Sequence, residues 1–358
     1  MLNATRILTE GDVFYKKALE SIEQAKMTVA FMVYIWQDDE IGRRFEKALA
    51  AAAQRGVYVR LVVDAVGSLE LPRSVIARLR EAGVHVFIHH RLKIFRWQWL
   101  RFLIRRNHRK IIIVDETIAF TGGFNIMREC SRKFFGKARW LDIALVVKER
   151  ALINPIMEQF EDACRRARHE KWAARLLTRT GNRVIFSHRG RVLTYLLSRY
   201  MKHRLLRAQK RIVIAVPYFV PYGFWRRVLK QKLRKGVRVE IILSERSDLP
   251  WIDAVSFSLA KRLQKKGARV FLYRGNESLP RFSHTKLLMI DEWVLTGSAN
   301  FDYRSMVLNL ETMLAFRHPA GRFNPVLNEL YSGSRLAVKD ELKGGLRAFL
   351  LKPFHWLL

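Results

Sequence analysis

The chain has 358 residues, with 66 lysines and arginines against 32 acids, a formal charge of +34 and 49% hydrophobic residues. Its two cysteines, Cys130 and Cys164, exclude a disulfide framework, and no uninterrupted apolar run approaches the ~20 residues that a spanning helix needs. The charge is a statement about partners, either nucleic acid or an anionic membrane surface, and not about fold.

In chain order, residues 11–24 read as a helix and 27–34 as a strand. A helix at 43–55 leads into a Gly-led strand at 56–64, and a third helix into a second Gly-led strand ending at 83–87. The same order returns at 191–209, 212–218, 224–235, 236–243 and 267–271, so the chain reads as a duplication. A basic helical stretch from 152 to about 179 joins the copies. Strands alternating with helices of this length predict an α/β fold with mostly parallel crossovers. The expected units are 1–178, 179–345 and a tail at 346–358.

Each copy carries one spaced trio, His108-x-Lys110-x4-Asp115 and His284-x-Lys286-x4-Asp291. Each trio is followed by a glycine loop ending in Asn, Thr121-Gly122-Gly123-Phe124-Asn125 and Thr296-Gly297-Ser298-Ala299-Asn300. A lone His-x-Lys is common by chance; two copies with one spacing and one follow-up are not. The apolar residues after each Lys predict a buried strand. On a strand His and Lys share a face, whereas Asp at +7 has the opposite parity and is expected to anchor the strand end or its turn. The first copy has one extra residue between Asp115 and its glycine loop, which leaves Asn125 less secure than Asn300.

Two such half-sites facing each other supply two imidazoles, two ammonium groups and two amides. That set suits a phosphodiester, because cations and amides neutralise charge growing on the non-bridging oxygens. One His can attack phosphorus while the other protonates the departing alcohol, with no metal or cofactor. Spacing alone leaves the two histidines interchangeable.

With those residues in place the chain resembles the phospholipase D superfamily, and within it the bacterial cardiolipin synthases. The narrower likeness rests on Asn107-His108-Arg109-Lys110, Trp140-x-Asp142 and Gly297-Ser298-x-Asn300-x-Asp302-x-Arg304-Ser305-x3-Asn309-x-Glu311, within a match over residues 11–335. The resemblance implies two similar α/β halves packed as a pseudo-twofold dimer around one central active site. His108, Lys110, Asp115, His284, Lys286 and Asp291 are then the candidate catalytic residues, with His108 as nucleophile. Asn125, Asn300, Glu311 and Asp142 are the candidate substrate-site residues. A nucleophilic imidazole needs its other ring N–H held by an acceptor, which makes Glu311 and Asp142 candidate orienting carboxylates. The implied reaction joins two phosphatidylglycerol molecules into cardiolipin and glycerol. Hydrolysis of the same lipid, or phosphodiester cleavage in nucleic acid, uses the same trio.

Two segments predict contact with a membrane surface. Residues 91–106 (RLKIFRWQWLRFLIRR) mix two Trp with six cations and no acid, and 346–358 (LRAFLLKPFHWLL) is similar. Aromatics at headgroup level flanked by snorkelling cations suit an interfacial position. Together with an N-terminus lacking an apolar stretch, they lead us to expect peripheral attachment on the cytoplasmic face of a bacterial membrane and no nucleic-acid partner. His89-His90 is expected to be a structural pair, and Asp64 a structural acid at its strand end.

Overall fold

A computed structural model describes residues 5–89, 106–168, 177–180, 183–187, 194–221, 223–317, 321–338 and 341–342. The segments at 91–105 and 346–358, expected to touch a membrane, lie outside these, as does His90. Among the described residues no helix is long and apolar enough to cross a membrane.

The first half runs β1 (Thr5–Leu8), α1 (Gly11–Glu23), β2 (Thr28–Val33), α2 (Glu40–Gln54), β3 (Tyr58–Asp64), α3 (Arg73–Glu81), β4 (His85–His89), β5 (Ile111–Val114), β6 (Ile118–Gly122), α4 (Arg132–Phe135), β7 (Ala144–Val147) and α5 (Arg150–Ala167). The second runs β8 (Leu177–Thr180), β9 (Arg183–Ser187), α6 (Thr194–Arg207), β10 (Arg211–Ala215), α7 (Gly223–Arg234), β11 (Arg238–Ser244), α8 (Pro250–Gln264), β12 (Arg269–Tyr273), β13 (Leu287–Ile290), β14 (Trp293–Gly297), β15 (Thr312–Arg317), α9 (Asn324–Ser332) and β16 (Ser334–Leu336). Local chemistry sets these bounds. Asp39 caps α2, its carboxylate accepting from Ile41 N at 2.9 Å and Gly42 N at 2.8 Å. Gly56 and Gly236, at φ +87° and +76°, end equivalent helices in the left-handed region that glycine enters without strain.

The strand order is β1-β7-β6-β5-β2-β3-β4 in one sheet and β16-β12-β11-β10-β13-β14-β15-β9-β8 in the other. Only β2-β3-β4 and β10-β11-β12 are parallel; the remaining neighbours are antiparallel. The expectation of mostly parallel crossovers is therefore corrected. Each His-motif strand turns straight back into a hairpin, and a turn of two or three residues can join only antiparallel strands.

The sheets face each other across a shared core. Met32, Ile111 and Ile113 of the first sheet and Val213, Leu287 and Met289 of the second belong to one buried cluster. Ile156 and Phe160 of α5 and Val326 and Leu330 of α9 fill it. Burying an aliphatic or aromatic side chain contributes roughly 1.5–3 kcal/mol, so this layer clamps the halves firmly. It also explains why β5 and β13 are apolar at every position: both faces are covered.

Candidate active site

The hairpins fix each motif from below. Val114 pairs with Ile118 and Ile290 with Trp293, so the first turn is one residue longer than the second. Asp115 and Glu116 both take positive φ in the first turn, and Asp291 alone in the second. The extra residue of the first copy is thus absorbed in the turn, and Asn125 and Asn300 both still line one cleft. Asp115 accepts from the backbone N–H groups of Lys26, Met27 and Thr28 at 2.8–2.9 Å. Asp291 does the same for Gln209, Lys210 and Arg211. Counted above with the catalytic trios, these two carboxylates sit at the far strand ends and do not line the cleft. Burial, the largest single influence, would raise both, yet the three backbone N–H donors together hold each below the usual carboxylate range.

Before β5 and β13 the chain leaves its own sheet and pairs with the other half. His108 N donates to the Leu310 carbonyl at 3.0 Å, and Leu310 N to the Arg106 carbonyl at 2.8 Å. Reciprocally, His284 N donates to the Leu141 carbonyl at 2.7 Å, and Leu141 N to that of Phe282 at 2.8 Å. Each His-bearing segment is therefore bridged to the residue just before the other half's carboxylate.

The side chains follow the same exchange. His108 Nδ1 lies 3.1 Å from both Glu311 oxygens, and His284 Nδ1 lies 2.6 Å from Asp142 Oδ2. A buried carboxylate is an acceptor only, so each Nδ1 carries the proton and each Nε2 is left for chemistry. Tyr34 packs edge-on to His108, with ring centres 4.8 Å apart, while Trp140 and Phe282 flank His284. Both imidazoles face a cleft of about 270 Å³.

The lysines stand behind the imidazoles rather than beside them on a surface, as strand parity alone had implied. Lys110 and Lys286 are 4% and 1% exposed. Lys110 Nζ donates to the His108 carbonyl at 2.9 Å and lies over the Tyr34 ring; Lys286 Nζ donates to the His284 carbonyl. Burial, with Lys286 adding to it, pushes Lys110 down to about 7 despite the opposing pull of Glu311. Burial likewise lowers Lys286. Burial pushes His108 down to about 4, although Glu311 opposes it. Burial would raise Glu311, yet His108, Lys110 and the Ser298 hydroxyl hold it at about 2. At neutral pH the pair is a neutral imidazole on an ionised carboxylate.

The glycine loops support these carboxylates. A Cβ on Gly123 would lie 2.0 Å from Asp142 Oδ1, so only glycine lets that carboxylate reach His284. Its counterpart Ser298 donates its hydroxyl to Glu311. Asn300 is 8% exposed, and its side-chain oxygen has no hydrogen-bond partner among the described residues. Asn125 Oδ1 accepts from Ile35 N at 3.2 Å.

Other residues belong to the site without a legible signal. Asp64 is fully buried; it pairs with Arg106 and accepts from Asn107 N at 3.0 Å, locking the approach to His108. That is the structural role expected of it, but its partner lay in a stretch read as interfacial. Arg106 N in turn donates to Asn309 Oδ1. Tyr218, Asp248 and Trp251 line the cleft beside His284 and follow no motif spacing.

The family model for the cardiolipin synthase, phospholipase D-like domain matches residues 18–164 and 201–330. Cardiolipin synthase A of Pseudomonas fluorescens is 33% identical over 326 residues, 87% of this chain and 64% of that protein. Cardiolipin synthase B of Shigella flexneri is 30% identical over 344 residues, covering 92% of this chain and 80% of the relative. The chain thus spans just under two thirds of the Pseudomonas protein's length. The crystal structure of a phosphatidylserine synthase from Haemophilus influenzae superposes with a TM-score of 0.76 at 16% identity, covering 99% of this chain and 93% of that one, which speaks for the fold. The duplicated α/β architecture and the matched family model place this chain in the cardiolipin synthase family of the phospholipase D superfamily.

Proposed function

We propose that this protein is a phosphatidyltransferase that makes cardiolipin from two phosphatidylglycerol molecules. One observation carries the reading: both imidazoles line one cleft, and each is held at Nδ1 by a carboxylate of the opposite half. In the first step His108 Nε2 forms a bond to phosphorus as the P–O bond to glycerol breaks, and protonated His284 gives its Nε2 proton to that oxygen. Glu311 balances the charge that appears on the His108 ring. In the second step neutral His284 takes the proton of the incoming lipid hydroxyl. That oxygen bonds to phosphorus, the P–N bond breaks, and His108 returns to its neutral form. Asn125 and Asn300, from the cleft lining, hold the phosphoryl oxygens, and Lys110 and Lys286 add positive charge from behind the imidazoles, a role that a preorganised, water-poor site makes effective. Asp142 positions His284 and stabilises its protonated form.

Transfer rather than hydrolysis is favoured by the packing of Tyr34, Trp140 and Phe282 around imidazoles only 8% exposed, which shields the intermediate from water. The residue bounds 1–178, 179–345 and 346–358, and peripheral attachment at the cytoplasmic face through basic–aromatic segments, belong to the same proposal. The test incubates the enzyme with phosphatidylglycerol vesicles and, separately, with plasmid. We expect cardiolipin and glycerol with intact plasmid, and a ³²P label on the protein that is acid-labile, as a P–N bond is, and that His108→Ala abolishes. Nicked plasmid with untouched lipid, or a label that persists in His108→Ala, overturns the proposal.

A further inference from the structure

The cleft is not as symmetric as the catalytic core. Four residues of the first half and eleven of the second line it, and the wall at Tyr218 and Asp248 belongs to the second half. There the Tyr218 hydroxyl donates to Asp248, both residues lining the cleft. Tyr218 packs with Ile252 and Phe282 in a small apolar cluster that Trp140 also touches, and Phe282 and Trp140 are the rings against His284. Burial and the Lys286 charge lower His284, and burial lowers Lys286; the Asp248 charge is near enough to oppose both, behind the larger pull of Asp142. So the pair stands next to the proposed acid–base imidazole.

In-line displacement puts the departing oxygen opposite the nucleophile, on the His284 side. The group attached to that oxygen, and the alcohol that replaces it, must then sit against this wall. A carboxylate is a strong acceptor for hydroxyl donors. The Tyr218 proton is already committed to Asp248, which leaves the second carboxylate oxygen and the phenol lone pairs as acceptors. Asn300, nine-tenths buried with its side-chain oxygen unpartnered, faces the same cleft as a further acceptor. An ammonium leaving group would meet repulsion from His284, which is cationic until it gives up its proton. A neutral polyol would not.

We propose that Tyr218 and Asp248 form a hydroxyl-binding subsite that selects a polyol headgroup as leaving group and acceptor. This rests on the phosphatidyl-transfer reading above and names the residues that would set its acceptor specificity. The aspartate accepts from the hydroxyls not undergoing reaction, and Tyr218 fixes the carboxylate rotamer.

The experiment holds phosphatidylglycerol vesicles as donor and measures headgroup transfer to labelled glycerol, 1-propanol and ethanolamine, each at equal concentration. The readout is the ratio of glycerol to 1-propanol product within one preparation, so any loss of folded protein cancels. We expect wild-type enzyme to prefer glycerol at least tenfold, and Asp248→Asn and Tyr218→Phe each to bring the ratio toward one. A ratio unchanged in both variants overturns the subsite while leaving phosphatidyl transfer standing. A selective loss of ethanolamine product in Asp248→Asn makes the wall an ammonium site and overturns the polyol assignment. Wild-type enzyme that transfers to no alcohol and makes no cardiolipin overturns the underlying reading as well.

Discussion

Replacing Glu311 by Gln isolates the charge that one half lends to the other half's histidine. Glu311 accepts from His108 Nδ1 at 3.1 Å, from the Ser298 hydroxyl, and weakly from Asn309 Nδ2 at 3.4 Å. A glutamine fits the same volume. Its oxygen can face His108 while its amide donates to Ser298, whose hydroxyl turns to accept, so the geometry survives and the charge is lost. A hydrogen bond to an ionised partner is worth about 1.5–3 kcal/mol, and that charge matters most once phosphorylation makes the imidazole cationic. At about 1.4 kcal/mol per decade, phosphohistidine formation should slow roughly 10- to 150-fold. His108 remains neutral in the variant, since Glu311 is the group that raises its pKa, so the loss falls on the bond-forming step and not on the ground-state charge. Rapid quench into neutral denaturing detergent, with ³²P-labelled phosphatidylglycerol vesicles as donor, reads that step directly. A burst within twofold of wild type, in protein of native circular dichroism, would refute the reasoning.

Four further outcomes follow from particular contacts. Gly123→Ala should cut turnover about as much as Asp142→Asn, because its methyl displaces the carboxylate from His284; activity near wild type contradicts the assigned contact. Asp115→Ala should lower the melting temperature, leaving three backbone N–H groups and a left-handed φ without their partner, at about 1–3 kcal/mol. Asp115→Asn, which tolerates that φ, should recover part of the loss, and equal melting of the two variants argues against the anchoring role. Asp64→Ala removes the carboxylate paired with a buried guanidinium and should cost about 3–5 kcal/mol in denaturant titration; a loss under 1 kcal/mol contradicts this. Lys110 has a folded pKa of about 7 against an ordinary 10.5, so between those values the folded protein holds fewer protons than the unfolded chain and stability rises with pH. Inorganic phosphate bound beside Lys110 should restore its proton. Calorimetry at pH 8 in two buffers of different ionisation enthalpy should therefore show proton uptake, fading toward pH 6, and binding without uptake rejects the placement.

Much of this architecture was legible in the chain because local rules govern it. The helix–strand repeats, their Gly-led strands and the two apolar runs after Lys110 and Lys286 obey periodicities of 3.6 and 2. The partnering across the molecule did not follow from any local rule. Glu311 and Asp142 read naturally as acids of their own copies, yet each serves the histidine of the other, because segments 106–108 and 282–284 pair with strangers rather than with their own sheet. The depth of the lysines was hidden because strand parity describes an isolated sheet: the faces continuing from Lys110 to Ile112 and Val114, and from Lys286 to Leu288 and Ile290, are buried against each half's own helices. Tyr218 and Asp248, 30 residues apart, become neighbours only because β10 and β11 are adjacent and parallel, so that their C-terminal ends open on one side.

The central claim is that two half-sites converge on one phosphorus atom. A crystal structure of the enzyme soaked with orthovanadate tests it most directly. We expect a single vanadate bonded to His108 Nε2, with His284 Nε2 on the opposite side within hydrogen-bond reach of its apical oxygen. Two separate ions, each held by one motif, or an ion contacting neither imidazole, would contradict it.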